Sequence, residues 1–413
     1  MGHGLIPTIE DYLGRRARVY GGETAILVDV VPPGVDGEDR MAELASLAAT
    51  AGLVVRGRAV QHRSRPDPGT FVGRGKAAEI RAQAQRVGAN TLIVGLEISP
   101  GQARNLERAT GLKVVDRSQL ILDIFAQRAG TKEAALAVEL AQLEYLLPRL
   151  RGWGQALTDP GGGIGTRGPG ETRLEQERRT IRRRIHAVRK ELRKASQDRA
   201  VQQARRRRKG PPEIGIIGYT NSGKSTLFNQ LTQSDVLVED KLFATLDTRV
   251  RRVALPGGGE VVVTDTVGFI RDLPHQLVPA FQATLESVRD ADLLLLVLDA
   301  SSPSAPDHLR VVRRVVAEEI LRPGEPHPPI LHVLNKIDLV NSEAQQARLA
   351  ALQLEAMPHI CISAKTGDNV PALKRTLAAL LADQAVARAH FGRYGAGWST
   401  TAKAVTVPGD GPP

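Results

Sequence analysis

The sequence predicts an α/β protein: an N-terminal parallel α/β domain, an antiparallel helical hairpin, and a second domain with a mostly parallel sheet. Three observations carry this prediction. Short apolar runs alternate with amphipathic stretches of helical length, first over residues 25–115 and again over 213–382. That alternation is the pattern of strands joined by crossover helices. Two long helical stretches, Thr131–Leu150 and Glu171–Arg208, flank a glycine-rich segment. Gly210-Pro211-Pro212 breaks the second of them just before the strand–helix series resumes. The domains expected are therefore 1–130, 131–210 and 211–382, with a short, disordered tail over 383–413.

In the first domain, strands are expected at Ala25–Val31, Leu53–Val60, Thr91–Val94 and Lys113–Val115. Helices are expected at Glu38–Ala51, Ala77–Val87 and Pro100–Thr110, the last with proline in its first turn. In the hairpin, Thr131 suits an N-cap, and Ala135, Val138, Leu140, Leu143 and Leu147 place apolar groups near one face. Pro148 is expected to end this helix. Leu174, Ile181, Ile185, Val188 and Leu192 give the second helix its own apolar stripe.

The net charge of +11 is unevenly placed. Residues 171–209 hold sixteen Lys/Arg against five Asp/Glu, while the remainder holds forty of each. Concentrated positive charge favours a polyanionic partner, most often nucleic acid. A solvated charged helix is the plainer alternative.

The second domain carries phosphate and base motifs at its strand ends. Ile214-Gly215-Ile216-Ile217 runs into Gly218-Tyr219-Thr220-Asn221-Ser222-Gly223-Lys224-Ser225, a phosphate-binding loop in strand–loop–helix context. Its glycines turn backbone N–H groups toward phosphates, and the helix end adds its dipole. Lys224 is expected on the β- and γ-phosphates and the Ser225 hydroxyl on Mg²⁺. Asp265-Thr266-Val267-Gly268 supplies a carboxylate that reaches the metal through water and, from Gly268, an amide that senses the γ-phosphate. Phe243-Ala244-Thr245-Leu246-Asp247 reads as the segment that closes over the nucleotide, with Thr245 as the metal-binding hydroxyl and Thr248 as its rival.

Asn335-Lys336-Ile337-Asp338 and Ser363-Ala364-Lys365 read the base. The Asp338 carboxylate can accept from guanine N1–H and the 2-amino group, and the Ala364 amide can donate to the guanine carbonyl. Adenine leaves both unpaired, at about 1–3 kcal/mol for each buried group. The implied ligand is GTP with Mg²⁺. Phe269 stands where many such sites place a water-orienting glutamine, so slow intrinsic hydrolysis is expected.

Other features narrow the class. One cysteine, Cys361, excludes an internal disulfide and a multi-cysteine zinc site, which suits a cytoplasmic protein, and it is expected in a buried strand. The most apolar run, Leu293–Leu298, is too short to span a bilayer. Phe71-Val72-Gly73-Arg74-Gly75-Lys76 lacks full phosphate-loop spacing and reads as a strand-to-helix turn that could touch RNA.

Gly161–Arg179, reading GGGIGTRGPGETRLEQERR, resembles the linker signature of HflX-type GTPases. The helix Thr131–Leu150, the DTVGFIRDLP run over Asp265–Pro274 and FATLD over Phe243–Asp247 agree, so the resemblance spans about Ala25–Ala382. It implies a bacterial cytosolic GTPase, monomeric, that binds the large (50S) ribosomal subunit and its rRNA. It further implies splitting or recycling of stalled or idle ribosomes under stress, or a part in their biogenesis. The glycine-rich tip, Gly161–Gly170 with Arg167, would then enter a functional cavity of that subunit, which the resemblance places at the peptidyl-transferase region. The tail after Ala382 is too short for the extra C-terminal domain of some members. Two other readings are a GTP-regulated scaffold for protein or membrane partners and an RNA-remodelling ATPase working through the first domain.

Overall fold

A computed structural model describes residues 20, 22–34, 37–150, 169–233, 242–243, 246, 248–271, 288–320 and 328–391. The described chain divides into two compact units, one ending at Asp198 and one beginning at Arg199.

The first unit opens with β1 (Thr24–Val31), whose last seven residues are all buried. A continuous apolar strand of this kind is covered on both faces, as parallel sheets require. Then follow α1 (Glu38–Thr50), β2 (Val54–His62), α2 (Arg74–Val87), β3 (Thr91–Val94), α3 (Pro100–Thr110), β4 (Lys113–Asp116) and α4 (Arg117–Arg128). The four strands are parallel in the order β2-β1-β3-β4. Ser99 caps α3 reciprocally with Gln102, and Pro100 pre-sets its first turn. Ile26, Val28, Val30, Ile80, Leu92 and Leu106 are central to the core.

The helical region comprises α5 (Lys132–Arg149) and α6 (Pro169–Lys209). Thr131 caps α5, its hydroxyl accepting from the Ala134 amide at 3.2 Å. Pro148 does not end α5; it lies inside the last turn. Leu136, Leu140, Leu143, Leu146 and Leu150 pack with Ile181, Ile185 and Val188 in one apolar seam. Truncating any of these leucines should cost about 2–5 kcal/mol. Glu139 with Arg184 at 2.5 Å and Glu144 with Arg189 at 2.7 Å flank the seam. The glycine-rich tip that the sequence singles out, including Arg167, lies outside the described residues.

The second unit contains β5 (Glu213–Gly218), α7 (Lys224–Thr232), β6 (Arg249–Ala254), β7 (Glu260–Asp265), β8 (Leu293–Asp299), α8 (Ala305–Val315), β9 (Ile330–Asn335), α9 (Glu343–Glu355), β10 (His359–Cys361) and α10 (Val370–Phe391). Its sheet order is β10-β9-β8-β5-β7-β6. All pairs are parallel except β6 on β7. Two expectations need correction. Helix α10 runs past position 382, where the tail was expected to start. Cys361 is half-buried rather than fully buried, and Gln353 Nε2 donates to its sulfur at 3.1 Å.

The Phe71–Lys76 segment is a packed turn. Asp67 Oδ1 accepts from the Gly69 and Thr70 amides, which pulls its pKa down, and Gln61 Oε1 accepts from Gly73 at 2.9 Å. Helix α2 then starts at Arg74 with no side-chain cap on its first amides.

Candidate active site

The loop that leaves β5 emerges between β8 and β7, at a place where open parallel sheets bind ligands. Gly218 ends the strand at φ +156°, and a Cβ there would run into the Val297 carbonyl. At φ +91°, a Cβ on Gly223 would strike the Asn335 amide nitrogen. Close chain approach and positive φ thus demand glycine at both ends of the loop. The loop then feeds the N-terminus of α7.

Lys224 opens α7 and is 6% exposed. Its ammonium donates to the Tyr219 carbonyl at 2.7 Å, so it folds back over the loop. Burial lowers its pKa to about 8, with Asp265 opposing the shift and Lys336 reinforcing it. An anionic ligand relieves a cation held this way. Beside it, the buried hydroxyls of Thr220 and Ser222 have no hydrogen-bond partner among the described residues. Unsatisfied donors next to a buried ammonium make a seat for an acceptor-rich group such as a phosphate.

Asp265, fully buried at the end of β7, accepts from Ser225 Oγ at 2.9 Å. These two hard oxygens are the donor type that suits a small divalent cation. Thr266 Oγ1 donates to the Ile216 carbonyl at 2.5 Å and ties the D-x-x-G turn to β5. Val267 is buried behind it. A Cβ on Gly268 would lie 2.7 Å from Lys224 Nζ and 2.9 Å from Thr220 Cα, so this turn rests directly on the phosphate loop. Phe269 is 3% exposed; its side chain is core and no water ligand.

On the base side, Asn335 ties the motifs together. Its Nδ2 donates to the Ser222 carbonyl at 2.9 Å and its Oδ1 accepts from the Ala364 amide at 2.9 Å. The Ala364 amide, which the sequence assigns to the guanine carbonyl, here donates to Asn335. Asp338 Oδ1 accepts from Ser363 Oγ at 2.7 Å, within the short turn that starts at Ile337. Lys336, at φ +65°, pairs with Asp299 at 2.7 Å, while Lys365 is exposed.

The structure thus gathers the Gly218–Ser225, Asp265–Gly268, Asn335–Asp338 and Ser363–Lys365 motifs into one cluster. Phe243 and Leu246 are buried, whereas Ala244, Thr245 and Asp247 lie outside the described residues. The rival hydroxyl, Thr248, is exposed just before β6. Sequence reasoning missed Asp299; an acid closing the apolar run Leu293–Leu298 at a strand's carboxyl end was the available signal. It also missed His308, whose ring stacks on Tyr219 at 3.8 Å and which no local motif marks.

In sequence the chain is similar to known GTPases. Residues 38–126 match the family described as GTP-binding GTPase N-terminal and residues 128–206 the GTP-binding GTPase middle region. Residues 213–336 match the 50S ribosome-binding GTPase family. The GTPase HflX of Caldanaerobacter subterraneus subsp. tengcongensis is 49% identical over 77% of this chain and 73% of its own. The GTPase HflX of Escherichia coli K12 is 42% identical over 87% and 83%. A GTP-binding protein from Sulfolobus solfataricus, solved in complex with GDP, is 28% identical over 87% of this chain and 99% of its own, with a TM-score of 0.44. With four nucleotide motifs in one cluster and relatives this similar over most of both chains, the chain belongs to the HflX GTPases, P-loop enzymes that bind GTP and hydrolyse it to GDP and phosphate.

Proposed function

We propose that this GTPase binds the large ribosomal subunit through rRNA and uses its nucleotide state to split or recycle ribosomes under stress. The observation that carries the reading is the charge of α6. Arg179, Arg182, Arg183, Lys190, Arg193 and Lys194 are exposed and have no acidic partner among the described residues. A row of unpaired cations on a helix suits a phosphate backbone and makes binding salt-sensitive. A second basic stretch supports the same partner. Residues 54–87 hold eight Lys/Arg against two Asp/Glu, with Arg56, Arg58, Arg74 and Arg81 exposed on β2 and α2. The match to a 50S ribosome-binding GTPase family points the same way.

Within the nucleotide site, Lys224 and the phosphate-loop amides hold the β- and γ-phosphates, and Asp338 selects guanine. Ser225 would hold Mg²⁺ directly and Asp265 through water, with Thr245 as the hydroxyl that completes the set. The metal, when bound, neutralises charge that develops on the phosphate oxygens. The remaining residues of the site, Asn335, Lys336 and Ser363, keep these groups in place. Because Phe269 offers no group to orient water, hydrolysis is slow until the subunit orders the switch segments or supplies a charge. The protein acts in the cytoplasm as a monomer, and the glycine-rich tip with Arg167 enters a functional cavity of the subunit.

Sucrose-gradient co-sedimentation with separated ribosomal subunits tests this reading. With a GTP analogue the protein should travel with the large subunit, and raised salt should release it. Co-sedimentation that ignores nucleotide and salt, or none at all, contradicts the proposal.

A further inference from the structure

Tyr219 belongs to the phosphate loop, but its side chain serves a different segment. Its hydroxyl accepts from the Arg271 amide at 3.0 Å. Its ring is 3% exposed and lies nearly parallel to the His308 imidazole, at 10° and 3.8 Å between centroids. Two backbone bonds join the same regions: Phe269 N–H donates to the Gly218 carbonyl at 3.0 Å, and Thr220 N–H donates to the Phe269 carbonyl at 2.7 Å. Residues 268–271 are therefore fastened to the phosphate loop at three points, and one of the three is a side chain.

This fastening has a steric consequence. To be sensed by Gly268, a γ-phosphate oxygen must fit between the Lys224 ammonium and the Gly268 amide. An oxygen accepting from a nitrogen needs about 2.7–3 Å on each side. Here a Cβ placed on Gly268 would already be 2.7 Å from Lys224 Nζ and 2.9 Å from Thr220 Cα. The turn therefore lies against Thr220 of the loop, beside the ammonium that would meet a γ-phosphate. A nucleoside diphosphate reaches only the loop amides and the start of α7.

We propose that Tyr219 is a specificity-determining residue that sets the preference between GTP and GDP. Its hydroxyl holds residues 268–271 down over the γ-phosphate seat, and His308 fixes the ring at the angle that lets it do so. GDP binds with this latch closed. GTP binding has to open it, so the apparent affinity for GTP is reduced by the fraction of molecules that are latched.

The test is Tyr219→Phe in the full chain, which keeps the ring, the stack and both backbone bonds and removes one hydroxyl. Dissociation constants are measured by titration with GDP and with a non-hydrolysable GTP analogue. Losing one neutral hydrogen bond should tighten the analogue about fivefold relative to GDP. His308→Leu, which keeps side-chain bulk and removes the stacking ring, should move the same ratio in the same direction. An unchanged ratio in both variants overturns the proposal. So does an equal loss for both nucleotides, which is what a merely structural tyrosine would give.

Discussion

The two sheets of this chain make an instructive pair, because each has a crevice at the carboxyl ends of its parallel strands and the two are lined differently. In the first unit the order β2-β1-β3-β4 puts the reversal of connections between β1 and β3. That is the usual location for a ligand. The chain fills it with its own charges. Asp29, 2% exposed, accepts from Arg40 Nε at 2.9 Å and from the Val30 amide at 2.8 Å. A Cβ on Gly95 would come within 2.7 Å of the Asp29 carboxyl carbon. Asp116 accepts from Arg149 at 2.9 Å, Tyr145 at 2.8 Å and the Gln119 amide at 2.9 Å. Burial still outweighs these partners and raises its pKa. The second unit leaves its crevice lined with glycine and with two hydroxyls that lack partners among the described residues. Sheet topology therefore locates a possible site, and the way its lining groups are paired distinguishes the two units.

The comparison breaks most easily at Gly223. Gly223→Ala forces a methyl against Asn335 and a non-glycine residue into φ +91°. Nucleotide binding should weaken at least about a hundredfold, equivalent to about 2.7 kcal/mol or more, while the first unit keeps its melting behaviour. Titration calorimetry with GDP alongside a thermal melt separates the two outcomes. The opposite pattern is expected for Asp116→Ala, which leaves the largely buried Arg149 without its carboxylate partner. Breaking a buried pair in this way costs about 3–5 kcal/mol. Denaturant unfolding should show that loss, and GDP affinity should stay at the parent value. Reduced GDP affinity at unchanged stability would contradict the contrast.

A smaller difference lies in acid sensitivity. His332 on β9 is buried, and its Nδ1 lies 3.1 Å from the Pro358 carbonyl. Burial pushes its pKa down to about 4; Arg313 and His359 reinforce the shift, and the Pro358 contact opposes it. Below about pH 6.5 the unfolded chain takes up a proton that the folded chain refuses down to about pH 4. Stability present above pH 6.5 is thus lost as pH falls, by up to about 3 kcal/mol. Asp116 and Glu107 of the first unit, both raised by burial, act in the other direction. Melts between pH 7 and 4 should show the second unit weakening more, and His332→Leu should flatten its dependence.

Much of this was legible in the sequence, for identifiable reasons. The strands β1, β3 and β8 are buried on both faces and read as continuous apolar runs. The phosphate loop and base motifs were readable because chemistry fixes their spacing. Helix α4 was not legible: Leu120, Ile121, Leu122, Ile124 and Phe125 are all buried, so no polar face marks a helical period. Strand β6 was missed for the converse reason, since only Val253 of Arg249–Ala254 is buried. The basic stretch at 54–87 disappeared into a remainder whose charges sum to zero. The engagement of the Ala364 amide by Asn335 joins residues 29 positions apart. Such a contact depends on tertiary placement, which no local spacing encodes.

On this reading the second unit's crevice is the nucleotide site, and Asp338 makes it select guanine. Equilibrium titration of the parent protein, Lys224→Ala and Asp338→Asn with GDP, ADP and XDP tests this most directly. The parent should bind GDP at least about a hundredfold more tightly than ADP, because adenine leaves a carboxylate unpaired. Asp338→Asn should lose GDP and gain XDP, whose 2-oxo group can accept from the new amide. Lys224→Ala should lose all three. Equal affinity of the parent for GDP and ADP, or nucleotide binding that survives Lys224→Ala at full strength, would contradict the claim and move the site elsewhere in the chain.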